Sequence, residues 1–193
     1  MTSKLRSGFT MKSQTAFTLV ELLIVIAILG TLAVVVLIAL NPVQQLARTR
    51  DAGRRSTVSQ LGHAIEAHAT GNNGTYMTAA PGWVTNLVNA GEIASVPQNS
   101  GYSAPGVGSH PVGADCIINA EGDFCYNAAG TPPNRAIVYA RLESASENDK
   151  CPDPEAAWAV YSTANSGGGI LCNGGSEPAV PPVGGYTGGS WIQ

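Results

Sequence analysis

The sequence predicts an α+β chain, in which a long N-terminal helix with an apolar half and an amphipathic half packs on a small antiparallel β-sheet with long loops. Three observations carry this. Leu22 to Leu40 is an uncharged run of 19 residues. Beyond Pro42, the positions Val58, Leu61, Ile65 and His68 recur at spacings of three, four and three, which is helical periodicity. Further on, short apolar segments alternate in period two between clusters of Gly and Pro, as half-buried strands do.

Composition fits that division. The chain has 193 residues, with Lys+Arg 10 against Asp+Glu 13 and only 12% charged, about half the usual share. Hydrophobic residues make up an ordinary 44%, but 20 of the 24 residues from Phe17 to Leu40 are apolar, the exceptions being Thr18, Glu21, Gly30 and Thr31. That distribution argues against a simple soluble globular enzyme. Charge is uneven as well. Lys4, Arg6 and Lys12 precede the apolar run, and Arg48, Arg50, Arg54 and Arg55 follow it against one acid, Asp51. From Ser56 to Gln193 three basic residues face eleven acidic ones, a net of −8. A distal region of that sign argues against nucleic acid as a partner through a broad electrostatic footprint.

The apolar run, as a helix, spans about 28 Å, close to the thickness of the bilayer hydrocarbon. It contains no Pro, and its Gly30 is tolerated in a membrane helix. A secretory signal fits less well, because its apolar region is about 7–15 residues long and ends in an A-x-A-like site, which does not follow Leu40. Glu21 is the anomaly: an ionised carboxylate costs about 2.5–3.5 kcal/mol at mid-bilayer and less near the interface. A free α-amine at Phe17, on the same chain or on a neighbour, would neutralise it.

The segment Ala16-Phe17-Thr18-Leu19-Val20-Glu21-Leu22-Leu23-Ile24-Val25 resembles the cleavage site and stem of type IV prepilins and the related pseudopilins. The resemblance implies a basic leader, residues 1–16, removed by a prepilin peptidase between Ala16 and Phe17, followed by N-methylation of Phe17. It implies that Glu21, the fifth residue of the mature chain, neutralises the amine of an adjacent subunit during assembly. Position 16 is Ala where the family usually has Gly. Gly8-Phe9-Thr10 imitates the site, but no apolar run follows it, which marks it as a decoy; Met11 offers a second start. The implied function is that of a structural subunit, not an enzyme, in a type IV pilus-like filament. The alternatives are a pseudopilin of a type II secretion or DNA-uptake machine, or an unprocessed single-span anchored binding module. The implied partners are other copies of the chain in a helical homopolymer, the prepilin peptidase, the pilus assembly platform and motor, and the membrane before assembly. No cofactor is implied. Localisation would run from a single-pass precursor in the cytoplasmic membrane to an extracellular pilus on the cell surface. In that topology the arginine group after the span faces lipid headgroups before extraction and the filament interior afterwards.

The expected organisation is a leader over 1–16, a helical stem over 17–70 with 17–40 as membrane span and filament core, and a distal body over 71–193 with a Gly/Pro-rich tail. Asn41-Pro42 interrupts the stem. Leu46, Val58, Leu61 and Ile65 share a face, and Asp51 and Arg55 are spaced to pair at the surface. Gly71-Asn72-Asn73-Gly74 ends the helix. Asn73-Gly74-Thr75-Tyr76 and Leu87-Val88-Asn89-Ala90-Gly91 also resemble the helix-to-loop region of pilins. Trp83 to Ala90 reads as a short helix stopped by Gly91. Strands are expected at 115–119, 123–127, 135–142, 156–162 and 169–173, with a hairpin turn at Glu121-Gly122. Residues 101–113 and 176–190 read as loops, the latter docked only if Tyr186 and Trp191 hold it.

Cys116, Cys125, Cys151 and Cys172 all lie beyond the span and lack CxxC spacing, which favours two disulfides over zinc or redox chemistry. Of three connectivities, Cys116–Cys125 across the hairpin and Cys151–Cys172 around the Trp158 strand are preferred. His63, His68 and His110 show no metal-ligand spacing, so no metal site is assigned. Asp149, Asp153 and Glu155 form an acidic loop, read as solvated in preference to calcium-binding. Asn73-Gly74-Thr75 matches a glycosylation sequon. No triad, phosphate loop or carboxylate pair marks a catalytic residue.

Overall fold

The computed structural model describes residues 17–97, 120–121, 124–152, 155–173, 178–180, 185 and 191–192. The chain divides into two compact units, Met1–Asn41 and Pro42–Gln193.

In the first unit, helix α1 (Leu19–Leu40) is capped by Thr18, whose backbone is extended at φ −81° and ψ 151°. The helix stops at Asn41, which turns left-handed at φ 41°. Asn is among the few residues that take this conformation readily. The sequence signal for the break is therefore used twice: Asn41 closes one helix and Pro42 opens the next at a position where its fixed φ fits and no amide is required.

The second unit contains α2 (Pro42–Gly71), α3 (Trp83–Asn89), β1 (Ala120–Glu121), β2 (Phe124–Gly130), β3 (Pro133–Arg141), α4 (Ala145–Asn148), β4 (Ala156–Ser162), β5 (Gly167–Asn173) and β6 (Trp191–Ile192). The six strands form one antiparallel sheet in sequence order. Glu121 pairs with Phe124 in the register of the first two strands; the turn expected at Glu121-Gly122 includes Gly122, which lies outside the described residues. The strand expected at 115–119 and the loop at 101–113 lie outside the described residues, as does Tyr186. Trp191 does dock: it pairs with Leu171, while Ile192 pairs with Ile170.

Helix α2 crosses one face of the sheet through Val58, Leu61, Ala64 and Ile65. They meet Val138, Ala140, Ala157, Ala159 and Tyr161, and the alanines allow close approach. Leu46, expected on this stripe, is 59% exposed because it precedes Ala47, the first residue of α2 to be buried. At Gly62 the helix comes so close that a Cβ there would collide with the Tyr161 ring. Helix α3 adds Trp83, Val84 and Leu87 to the same core, with Trp83 stacked on Tyr126 at 5.0 Å between centroids. Gly91 at φ 80° ends it, with Gly91 N–H donating to Val88 and Glu92 N–H to Leu87, a Schellman closure. On the opposite face Cys125, Ile137, Tyr139, Trp158, Val160 and Leu171 form a second cluster, covered in part by Val180 and Trp191. Every residue of β4 is therefore buried, including the Trp158/Val160 and Tyr161 sides that alternate across it.

Candidate functional site

The start of α1 brings Phe17, Thr18 and Glu21 together. Phe17 is 82% exposed just ahead of the helix. The Thr18 hydroxyl accepts the Glu21 N–H at 3.2 Å. In return, Glu21 Oε2 accepts the Thr18 N–H at 2.9 Å and the Thr18 hydroxyl at 2.8 Å. This is a capping box, in which two orphan donors of the first turn are satisfied reciprocally. Its Thr-x-x-Glu signature stands in the sequence beside the methylation resemblance and could have been read from it. All these bonds to the carboxylate fall on Oε2. The negative side chain also complements the positive end of the helix dipole. Ala16, the other side of the expected scissile bond, lies outside the described residues.

Past this cap α1 has no buried face. Its large side chains range from Val25 at 49% to Leu19 at 78% exposed, and Leu19–Ala39, 21 residues, is long and apolar enough to cross a membrane. A helix apolar all round cannot be a surface element of a soluble domain; it requires lipid or other helices.

The charges after the apolar run are arranged differently from expectation. Asp51 does not pair with Arg55 at the surface. It is buried, 2% exposed, and its carboxylate accepts the backbone N–H groups of Glu143 at 2.9 Å and Ser144 at 2.8 Å. Arg54, also buried, bridges Asp51 at 3.0 Å and Glu143 at 3.2 Å, and Arg50 pairs with Glu143 as well. Two arginines expected to face headgroups thus belong to the inside of the body, where two cations and two carboxylates cancel. The physical reason is that backbone donors at the end of β3 and carboxylates from both elements satisfy them together, which single-helix spacing does not show. Arg55 instead reaches Glu147 at 3.6 Å, and Lys150 holds the same carboxylate at 2.7 Å.

Elsewhere, the Tyr161 hydroxyl donates to Glu66 at 2.8 Å and lies 3.2 Å from His63 Nδ1. Burial, with the Glu66 carboxylate beside it, raises the Tyr161 pKa well above the usual phenolic range; burial does the same to Tyr126. His68 lies beside Asn72. Among the described residues no group of three His, Cys, Asp or Glu side chains is placed to hold a metal. His110 and Asp153 lie outside those residues, whereas Asp149 is exposed and Glu155 half-buried. Asn73 of the sequon is exposed in the turn after α2 at φ 55°. Cys151 and Cys172 are joined by a disulfide with Cα atoms 5.3 Å apart. Cys125 is also disulfide-bonded, and Cys116 lies outside the described residues. An open hollow of about 350 Å³ between α2 and the β4–β5 edge is lined by Arg55, Ser56, Ser59 and Gly168 among others.

Residues 11–37 match the family model of the prokaryotic N-terminal methylation motif. No curated protein and no solved structure matches the chain.

Proposed function

We propose, from a chain that carries the N-terminal methylation signal of type IV pilin-like and pseudopilin proteins, that it is a structural subunit of a type IV pilus-like filament. The precursor is held in the cytoplasmic membrane by α1, with the body on the far side. Prepilin peptidase cuts between Ala16 and Phe17, and the freed amine of Phe17 is methylated. The assembly platform and motor then transfer the helix from lipid into the filament core.

The observation that carries this reading is an all-round apolar helix with one charge, Glu21, at its capped start. Moving such a helix from lipid to protein gains little hydrophobic energy, because lipid tails are as apolar as leucine. Apolar packing alone would also let neighbouring helices slide. A carboxylate and an amine in a low-dielectric core attract strongly and only in one register. Glu21 Oε2 is engaged within its own chain, and the proposed partner of the carboxylate in the filament is the Phe17 amine of the adjacent subunit.

Mass spectrometry of the cell-purified chain tests the processing. The expected mass begins at Phe17 with one added methyl group; an intact leader overturns the reading. Immunogold labelling of sheared surface filaments tests the pilus role. Its absence from filaments, with processing intact, would favour the secretion-machine pseudopilin.

A further inference from the structure

Three donor atoms from two elements of the body converge beside α2. The Tyr161 hydroxyl lies 2.8 Å from Glu66 Oε2 and 3.2 Å from His63 Nδ1. The third side of the triangle, His63 Nδ1 to Glu66 Oε2, is 3.8 Å. Tyr161 has one hydroxyl hydrogen and donates it to Glu66, while the third side is too long for a hydrogen bond. His63 and Glu66 therefore face each other across a gap that no shared proton closes.

That gap has the dimensions of a coordination site. Sides of 2.8, 3.2 and 3.8 Å give a point about 1.9 Å from all three atoms, so an ion held at about 2.0–2.2 Å, the usual zinc–nitrogen and zinc–oxygen lengths, sits just off their plane. The His63 and Glu66 side chains are 69% and 35% exposed, which gives an ion a way in from solvent. Regular elements hold the donors: His63 and Glu66 stand one turn apart on α2, and Tyr161 belongs to β4. The Tyr161 ring is confined by Gly62, where a Cβ would collide with it, and has the His63 ring edge-on at 5.0 Å. The third donor lies 98 positions from His63, which is why spacing along the sequence shows no site. An imidazole nitrogen with carboxylate and phenolate oxygens suits zinc or copper(II), copper(II) the tighter. From Ser56 onward the chain is net −8, a field that favours a cation.

We propose that His63 Nδ1, Glu66 Oε2 and Tyr161 Oη bind a divalent transition-metal ion, zinc or copper(II), which pins α2 to the sheet. The Tyr161 O–H bond breaks as the oxygen–metal bond forms, and the proton leaves to water. His63 is then the neutral tautomer with its hydrogen on Nε2. The three donors converge only when α2 is packed on β4, so the ion binds the folded body and stabilises it. The site depends neither on processing nor on filament assembly.

The test uses the full detergent-solubilised chain, purified without an affinity tag and with its disulfides intact. Copper(II) is expected to saturate at one equivalent above the His63→Ala background and to produce a visible phenolate-to-copper charge-transfer band. Zinc alone is expected to raise the thermal unfolding midpoint. His63→Ala, at an exposed position, and Glu66→Gln, which keeps an acceptor for Tyr161, should each weaken binding at least as much as loss of an outer-sphere partner does, about 10–100-fold, and remove the zinc shift. Tyr161→Phe should remove the band, and His68→Ala should change nothing. Metal bound equally well by His63→Ala and Glu66→Gln places the ion elsewhere and overturns the proposal, as does the absence of saturable binding. Binding that needs His63 and Glu66 but shows no charge-transfer band overturns Tyr161 as the third donor.

Discussion

Glu21 has one observed role and one proposed role, and substitution can separate them. As a cap it needs an acceptor oxygen; as the proposed partner of a neighbour's amine it needs a charge. Glu21→Gln keeps an acceptor and loses the charge, so it is expected to insert and be cleaved normally but to yield no filaments in a shear-and-sediment assay. Thr18→Ala keeps the charge and loses the cap. It should cost about 1 kcal/mol of helix stability and still assemble. Normal filaments from Glu21→Gln would sink the charge role. Two glycines of α2 make a second contrast. Gly62→Ala drives a methyl into the Tyr161 ring and should destabilise the body by about 1–3 kcal/mol. Gly53→Ala meets nothing within 4 Å and should stabilise it by up to about 1 kcal/mol. Denaturant unfolding of the detergent-solubilised chain reads both. Asp51→Ala leaves two buried backbone N–H groups without their acceptor and removes one of the two carboxylates on the buried Arg54, for an expected loss of about 3–5 kcal/mol.

At the scale of elements, legibility follows the range of the interactions. Helix α1 is written locally, because all of its 22 residues but Glu21, Gly30 and Thr31 are apolar. The end of α3 at Gly91 is equally local, as are β3 and β4, marked by the alternating positions Val138/Leu142 and Trp158/Val160. The Phe17–Glu21 site is legible because its parts lie within five residues, and its capping box was open to the same reading. The buried charges of α2 are not legible. Arginine and aspartate on a helix read as a solvated face, and what buries Asp51 is the backbone of residues 92 and 93 positions further on. Leu46 fails in the opposite sense: periodicity places it on the core stripe, but nothing in the spacing says where the sheet stops. Gly62 carries no sequence signal either, because its meaning is the ring of Tyr161, a residue of another element.

For the molecule as a whole, stability depends on covalent closure and on keeping tyrosines neutral. Reducing Cys151–Cys172, a closure spanning 21 positions, should lower unfolding free energy by about 3 kcal/mol in the chain-entropy model, read as a shift in denaturant midpoint. Tyr126 and Tyr161 have pKa values raised by burial. Their contribution is complete below the unfolded-state pKa of about 10 and falls as pH rises from there toward the folded values, because the unfolded chain releases those protons first. Tyr161→Phe should flatten that alkaline decline; an unchanged slope would contradict the assignment. The sheet has a further consequence for the order in which the body is made. Every strand pairs with its neighbour in sequence, so pairing needs little loop closure and can proceed hairpin by hairpin as chain emerges. Until Trp191 and Ile192 arrive, β5 presents an unpaired edge at Ile170 and Leu171, and such edges recruit other chains. A nascent body is therefore adhesive toward its own kind until residues 191–192 close it, and its solubility is decided late in synthesis.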